Sequence, residues 1–125
     1  MYDEKVKDVN NEESSSKVTL EELKKKYANT KTYLITTSVG IDDEEEKDFT
    51  FLFSKPKTQS YDRYIKTASS SSSKALRVFI LDNVVPEQKE EIREHLEEYP
   101  AASISIGEKL LSMLGLSKET SVKKL

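Results

Sequence analysis

No cysteine occurs among the 125 residues. That excludes disulfides, thiol nucleophiles and zinc sites that need thiolates. Glycine is nearly as scarce, with only Gly40, Gly107 and Gly115. None belongs to a glycine-rich loop of the kind that cradles phosphate. Histidine occurs once, as His95, between Glu94 and Leu96 in a glutamate-rich stretch. It is expected to be a partly exposed helix residue, with no serine or carboxylate spaced to complete a catalytic relay. Long apolar runs are missing as well, so neither a signal peptide nor a membrane span is expected, and the expected location is cytoplasmic. An excess of charge of one sign is absent. The net charge is −3, with acidic and basic residues interleaved and no broad basic face, which disfavours nucleic acid as a partner.

What remains is a short, polar chain with one modest core. Hydrophobic residues make up 35% and charged residues 34%, so part of the chain is expected to stay outside that core. Residues 1–17 read as a disordered N-terminal tail, because little beyond Tyr2, Val6 and Val9 is available to offset the entropy of ordering them. Residues 18–116 read as a single α+β domain, and 117–125 as a polar C-terminal tail.

The organising stretch is Asp48 to Tyr64. Phe49, Phe51 and Phe53 alternate with Thr50, Leu52 and Ser54, which puts three phenyl rings on one face of a strand. Lys55-Pro56 stops that strand. Thr58 or Ser60 is placed to cap a following helix that carries Tyr61, Tyr64, Ile65 and Ala68 on one side. Lys31 to Val39 supplies the antiparallel partner strand, rich in Thr, Tyr, Ile and Val. A hairpin alone is marginal, and its open edges invite pairing with another strand.

Before the hairpin, Thr19 and Glu22 stand at capping-box spacing ahead of a helix bearing Leu20, Leu23 and Tyr27, which Asn29 is placed to close in the left-handed conformation. After it, Ser69 to Ser73 reads as a joint between helices. Lys74 to Val85 reads as a central helix, with Leu76/Ile80 and Phe79/Val84 as buried pairs. Pro86 opens another helix with Ile92, Leu96 and Tyr99 inward, and Pro100 ends it. A last helix runs from about Ala102 to Leu114, with Ile106, Leu110, Met113 and Leu114 at helical spacing and Ile104 and Leu111 widening the apolar arc. Gly115 is its left-handed cap, with Leu116 folding back. The fold class is therefore a two-stranded antiparallel hairpin near the N-terminus, packed on four to five helices.

Chemistry has few candidates. The acidic tip Asp42-Asp43-Glu44-Glu45-Glu46 is the best metal site on offer, but its spacing lacks the Asp-x-Asp-x-Asp-Gly pattern of a calcium loop. No cofactor and no catalytic residue are assigned, and an enzyme is not expected. The working material is apolar surface. Phe51, Phe53, Tyr61, Tyr64, Leu110 and Met113 are the residues expected to contact a protein partner or to support such contacts, with plain core as the competing reading.

The order of elements adds a resemblance. Leu20-Glu21-Glu22-Leu23-Lys24, then Phe49 to Pro56 (FTFLFSKP), then the helical run from Tyr61 through Leu114 is similar to the small tail assembly chaperone-like proteins encoded before the tape-measure protein in tailed phages and prophages. The likeness spans residues 18 to 116. It departs in the polar stretch before Val18 and in a little-developed acidic region after the core. The resemblance implies a non-enzymatic protein of the bacterial host's cytoplasm. Its implied partner is the tape-measure protein, around which tail-tube subunits assemble, and many members also have a longer, frameshifted form. The alternative is a small structural or regulatory prophage protein that forms homo-oligomers through its hairpin edges.

Overall fold

The Thr19 hydroxyl accepts from the Glu22 N–H at 3.2 Å, and the Glu22 carboxylate accepts from the Thr19 N–H at 3.0 Å. This is the reciprocal cap that the Thr-x-x-Glu spacing predicts. Those bonds from the Thr19 backbone and hydroxyl hold the Glu22 carboxyl below the ordinary value of 4.5. The helix they start, α1 (Leu20–Lys26), carries Glu21 and Glu22 in its first turn and Lys24 to Lys26 in its last, in keeping with the helix dipole. Its end differs from expectation. Asn29 is not left-handed, since among the described residues no non-glycine has a positive φ. Right-handed turns close the helix instead: the Ala28 N–H donates to Lys25 and the Thr30 N–H to Tyr27, while the Thr30 hydroxyl donates to the Tyr27 carbonyl at 2.7 Å.

The computed structural model describes residues 18–117 and 119–125, so the expected tail over 1–17 lies outside the described residues. The chain forms two units, one reaching Lys31 and one spanning Thr32–Leu125.

The second unit begins with the hairpin. Strands β1 (Thr32–Gly40) and β2 (Glu46–Ser54) pair antiparallel in unbroken register. Tyr33 faces Phe53, Ile35 faces Phe51 and Thr37 faces Phe49. Ile35, Phe51 and Phe53 are core, and Phe49 packs on its margin, so the phenyl face lies inward as the alternation requires. On the opposite face the hydroxyls of Thr36 and Thr50 lie 2.9 Å apart, and Ser38 donates to Asp48 at 2.6 Å.

The two edges of this sheet are treated differently. The chain closes the β2 edge itself. Val84 forms a bridge with Phe53, and the Val85 N–H donates to the Leu52 carbonyl at 2.9 Å. The Gln88 side chain then completes the job. Its carbonyl accepts from the Leu52 N–H at 2.7 Å, and its amide donates to the Thr50 carbonyl at 3.3 Å. Among the described residues β1 pairs with no strand but β2.

Helix α2 (Thr58–Ala68) starts from Lys57, without a side-chain cap from either Thr58 or Ser60. Ser60 is drawn inward to a different task, accepting from the Asn83 amide at 3.0 Å. Beside it the Arg63 guanidinium donates twice to one Asp82 oxygen, at 2.9 and 3.1 Å. This polar seam fixes α2 against α3 (Ser72–Asn83). The serine run is shorter as a joint than its composition implies. Ser71 caps α3 by accepting from the Lys74 N–H, and Ser72 and Ser73 already belong to the helix.

Helix α3 buries Ala75, Phe79 and Ile80. It stops at Asn83, earlier than the sequence indicates, because Val84 turns extended to pair with β2. A single turn over Pro86–Gln88 leads to α4 (Lys89–Glu98), which buries Ile92, His95 and Leu96. The last helix, α5 (Ala102–Ser112), buries Ala102, Ile106 and Leu110 and packs on α3 and β1. Gly107 permits that approach to α3: a Cβ there would sit 2.6 Å from Leu76 Cδ2. Gly115 takes φ +108°. Its N–H donates to Ser112 and that of Leu116 to Leu111, the paired bonds of a glycine-terminated helix end. No regular element follows among the described residues to Leu125.

Candidate functional site: an apolar groove between α2 and the end of α5

The exposed side of α2 and the turn that ends α5 enclose a groove of about 580 Å³. Thr58, Tyr61 and Tyr64 form one wall, one helical turn apart, and Leu111, Leu114 and Leu116 form the other. The Gly115 turn makes this wall, since without a left-handed residue the chain could not carry Leu116 back beside Leu111. Tyr61 is 39% exposed and Leu116 53%. Tyr64 is held from beneath by Phe79, with ring centroids 5.2 Å apart, and it touches Tyr61 at 6.3 Å. The groove is therefore anchored on the core and open to a partner, with aromatic rings of the sort enriched at binding hot spots.

The six residues singled out from the sequence divide along this line. Tyr61 and Tyr64 are in the groove. Phe51, Phe53 and Leu110 are core residues with 1%, 0% and 0% exposure, which leaves them only a supporting part. Met113 is half-buried and packs against the core. Leu111, Leu114 and Leu116 complete the groove; the signal for them was the wide apolar arc of the last helix and its glycine cap.

A second cleft lies between β2 and α4, lined by Lys47, Phe49, Glu91, Glu94, His95 and Tyr99. His95 corrects the expectation of a partly exposed residue. It is 6% exposed, with tilted ring contacts to Phe49 at 4.4 Å, Tyr99 at 5.1 Å and Phe51 at 5.3 Å between centroids. The reason is positional: it falls on the same face of α4 as Ile92 and Leu96, opposite the phenyl strand. Its Nε2 is buried without a hydrogen-bond partner among the described residues. Burial pushes its pKa below the ordinary 6.5.

That shift has a direction in pH. The unfolded chain binds a proton near pH 6.5 while the folded chain still resists it, so the neutral form favours folding. Stability from this group is complete above pH 6.5 and falls as pH drops toward the lowered folded value, where it levels off. Urea unfolding across this window should show the decline in the natural protein and a flatter profile in His95→Leu. Identical slopes would show that His95 is not held neutral by burial.

The acidic tip between the strands is exposed, and among the described residues no group of three acidic or histidine side chains is placed to hold a metal ion. No helix of the described residues is long and apolar enough to cross a membrane.

Fold and groove together define a small α+β protein with an aromatic and aliphatic groove on its surface. The chain belongs to the DUF6848 family, a domain of unknown function, whose pattern it matches over residues 23–123. It is also similar to a solved structure, the uncharacterised protein rbstp2171 from Bacillus stearothermophilus. The two share 30% identity with a TM-score of 0.62, over 84% of this chain and all of that one. No curated protein matches.

Proposed function

We propose that the protein is a non-enzymatic tail assembly chaperone of a tailed phage or prophage. In this reading it acts in the cytoplasm of the bacterial host. It covers an apolar, helical segment of the tape-measure protein until tail-tube subunits assemble around it. The observation that supports this most is the groove of Tyr61, Tyr64, Leu111, Leu114 and Leu116. An amphipathic helix recognises such a surface through side chains repeating every three or four residues, which fits a trough between two helices. Binding of this kind needs no catalytic group. It reverses readily because part of the rim is exposed.

The reading makes a direct prediction. Co-expression with the tape-measure protein should yield a co-purifying complex and raise the larger protein's solubility. Tyr61→Asp places a charge in the groove where solvent already reaches, so the fold should hold while complex recovery falls at least about tenfold, as expected for a lost hot-spot side chain. A natural chain that fails to co-purify would overturn the proposal. So would a Tyr61→Asp variant that binds as well as the original.

A second reading, a small structural or regulatory prophage protein that oligomerises, is favoured by a separate feature: among the described residues β1 pairs with no strand but β2.

A further inference from the structure

We propose that two copies of this chain associate through the outer face of α2, the two helices lying antiparallel about a two-fold axis. The face adjoins the groove, but the inference does not rest on the chaperone reading.

Helix α2 carries more apolar surface than its own packing uses. Tyr64, against Phe79, and the buried Ser60 tie it to the rest of the fold. Ile65 lies about 100° further round the helix than Tyr64, clear of that contact. With Tyr61, one turn before it, Ile65 forms an outward ridge, 39% and 47% exposed respectively. Across the groove Leu116 is 53% exposed and extends the same patch. Contiguous exposed apolar side chains of this kind mark an interaction surface.

Charges border the ridge on the side turned away from Ser60. Asp62 and Lys66 are both exposed, one helical turn apart. Neither takes a hydrogen-bond or ion-pair partner among the described residues. Arg63, further round the helix, is already engaged with Asp82. The ridge is thus flanked by one acid and one base that the chain's own packing leaves for another use.

That arrangement selects a second copy as the occupant. Antiparallel α2 helices that set Tyr61 against the second copy's Ile65 bring Asp62 within about 3 Å, measured along the axis, of the second copy's Lys66. The two-fold repeats both contacts at the other end. Parallel helices would instead set acid on acid and base on base. The face is therefore complementary to itself in one orientation, as a closed two-fold dimer requires. Its extent limits its strength. Helix α2 has 11 residues and so spans about 16 Å. A contact of that length falls short of the roughly 800 Å² per partner buried in stable complexes, so the dimer is weak and reversible.

Light scattering and sedimentation of the full chain, taken up to about millimolar concentration, test this. The expected result is a reversible dimer of the 14.3 kDa chain. Ile65→Asp puts a charge on the ridge at an exposed position. It should raise the dimer dissociation constant at least about tenfold with an unchanged far-ultraviolet dichroism spectrum. Asp62→Lys sets cation against cation across the axis and should weaken the dimer as well. Adding Lys66→Asp to that variant restores opposite charges and should restore association. A chain that stays monomeric over the whole range overturns the proposal. An oligomer whose mass and affinity ignore both Ile65→Asp and Asp62→Lys overturns it equally, because another surface must then hold the copies together.

Discussion

Phe53→Ala is expected to lower the free energy of unfolding by about 3–5 kcal/mol, enough to threaten folding in a chain of this size. Phe53 has no exposed surface, stands opposite Tyr33 in the hairpin and bridges to Val84 beyond α3. It therefore joins the sheet to the helical layer from both sides. Truncation removes the transfer free energy of a phenyl ring and leaves a cavity that the surrounding Phe51, Phe79 and Ile80 can fill only in part. Urea denaturation followed by circular dichroism reads the effect as a lower midpoint with a similar slope. Tyr61→Ala serves as the contrast, since a groove residue at 39% exposure should cost far less. Comparable losses for the two would mean that Tyr61 is structural and that the groove is merely an outer part of the core.

The second large effect belongs to Gln88→Leu. The substitution keeps the volume and the apolar stem while removing both polar contacts to β2. The Leu52 N–H, buried and bonded to the Gln88 carbonyl at 2.7 Å, loses its acceptor, and the Thr50 carbonyl loses a donor. An unsatisfied buried backbone group costs about 1–3 kcal/mol. The expected outcome is a destabilisation in that range together with faster hydrogen exchange at the Leu52 amide. Gln88→Glu separates the two bonds, because a carboxylate still accepts from Leu52 but cannot donate to Thr50. It should retain more of the Leu52 protection than the leucine variant. Full protection in Gln88→Leu would show that the side chain does not seal this edge.

These two positions also show what the sequence discloses and what it hides. Phe53 is legible, because an every-second-residue run of phenylalanine can bury its rings only as a strand face, and Ile35 opposite Phe51 follows from the same rule. The Thr19–Glu22 cap and the Gly115 turn are legible for the same reason: each depends on residues within six positions of one another. Gln88 is not legible. Its partners lie 36 and 38 residues away, and nothing local marks a glutamine after a proline as the closing piece of a sheet. His95 misleads by its neighbours. Glutamates flank it, yet helical geometry turns it inward between Ile92 and Tyr99. Val84 misleads similarly, because a β-branched pair at the end of an apolar run fits a helix until a strand edge competes for its backbone.

The groove was half visible. Tyr61 and Tyr64 share a face of α2 by spacing alone, and the leucines of α5 mark an apolar arc. That the two walls meet depends on the Ser60–Asn83 and Arg63–Asp82 contacts that fix α2, and on Gly107, which lets α5 approach α3 closely. Such long-range packing leaves no periodic trace.

Placing a photo-crosslinking amino acid at single positions of the co-expressed protein tests the central claim most directly. Substituted for Tyr61, on the groove wall, it should form a covalent adduct with the tape-measure protein on irradiation. Substituted for Glu97, an exposed residue on the outer side of α4, it should form little or none. Adducts from Glu97 and none from Tyr61 would contradict the assignment of the groove as the binding surface.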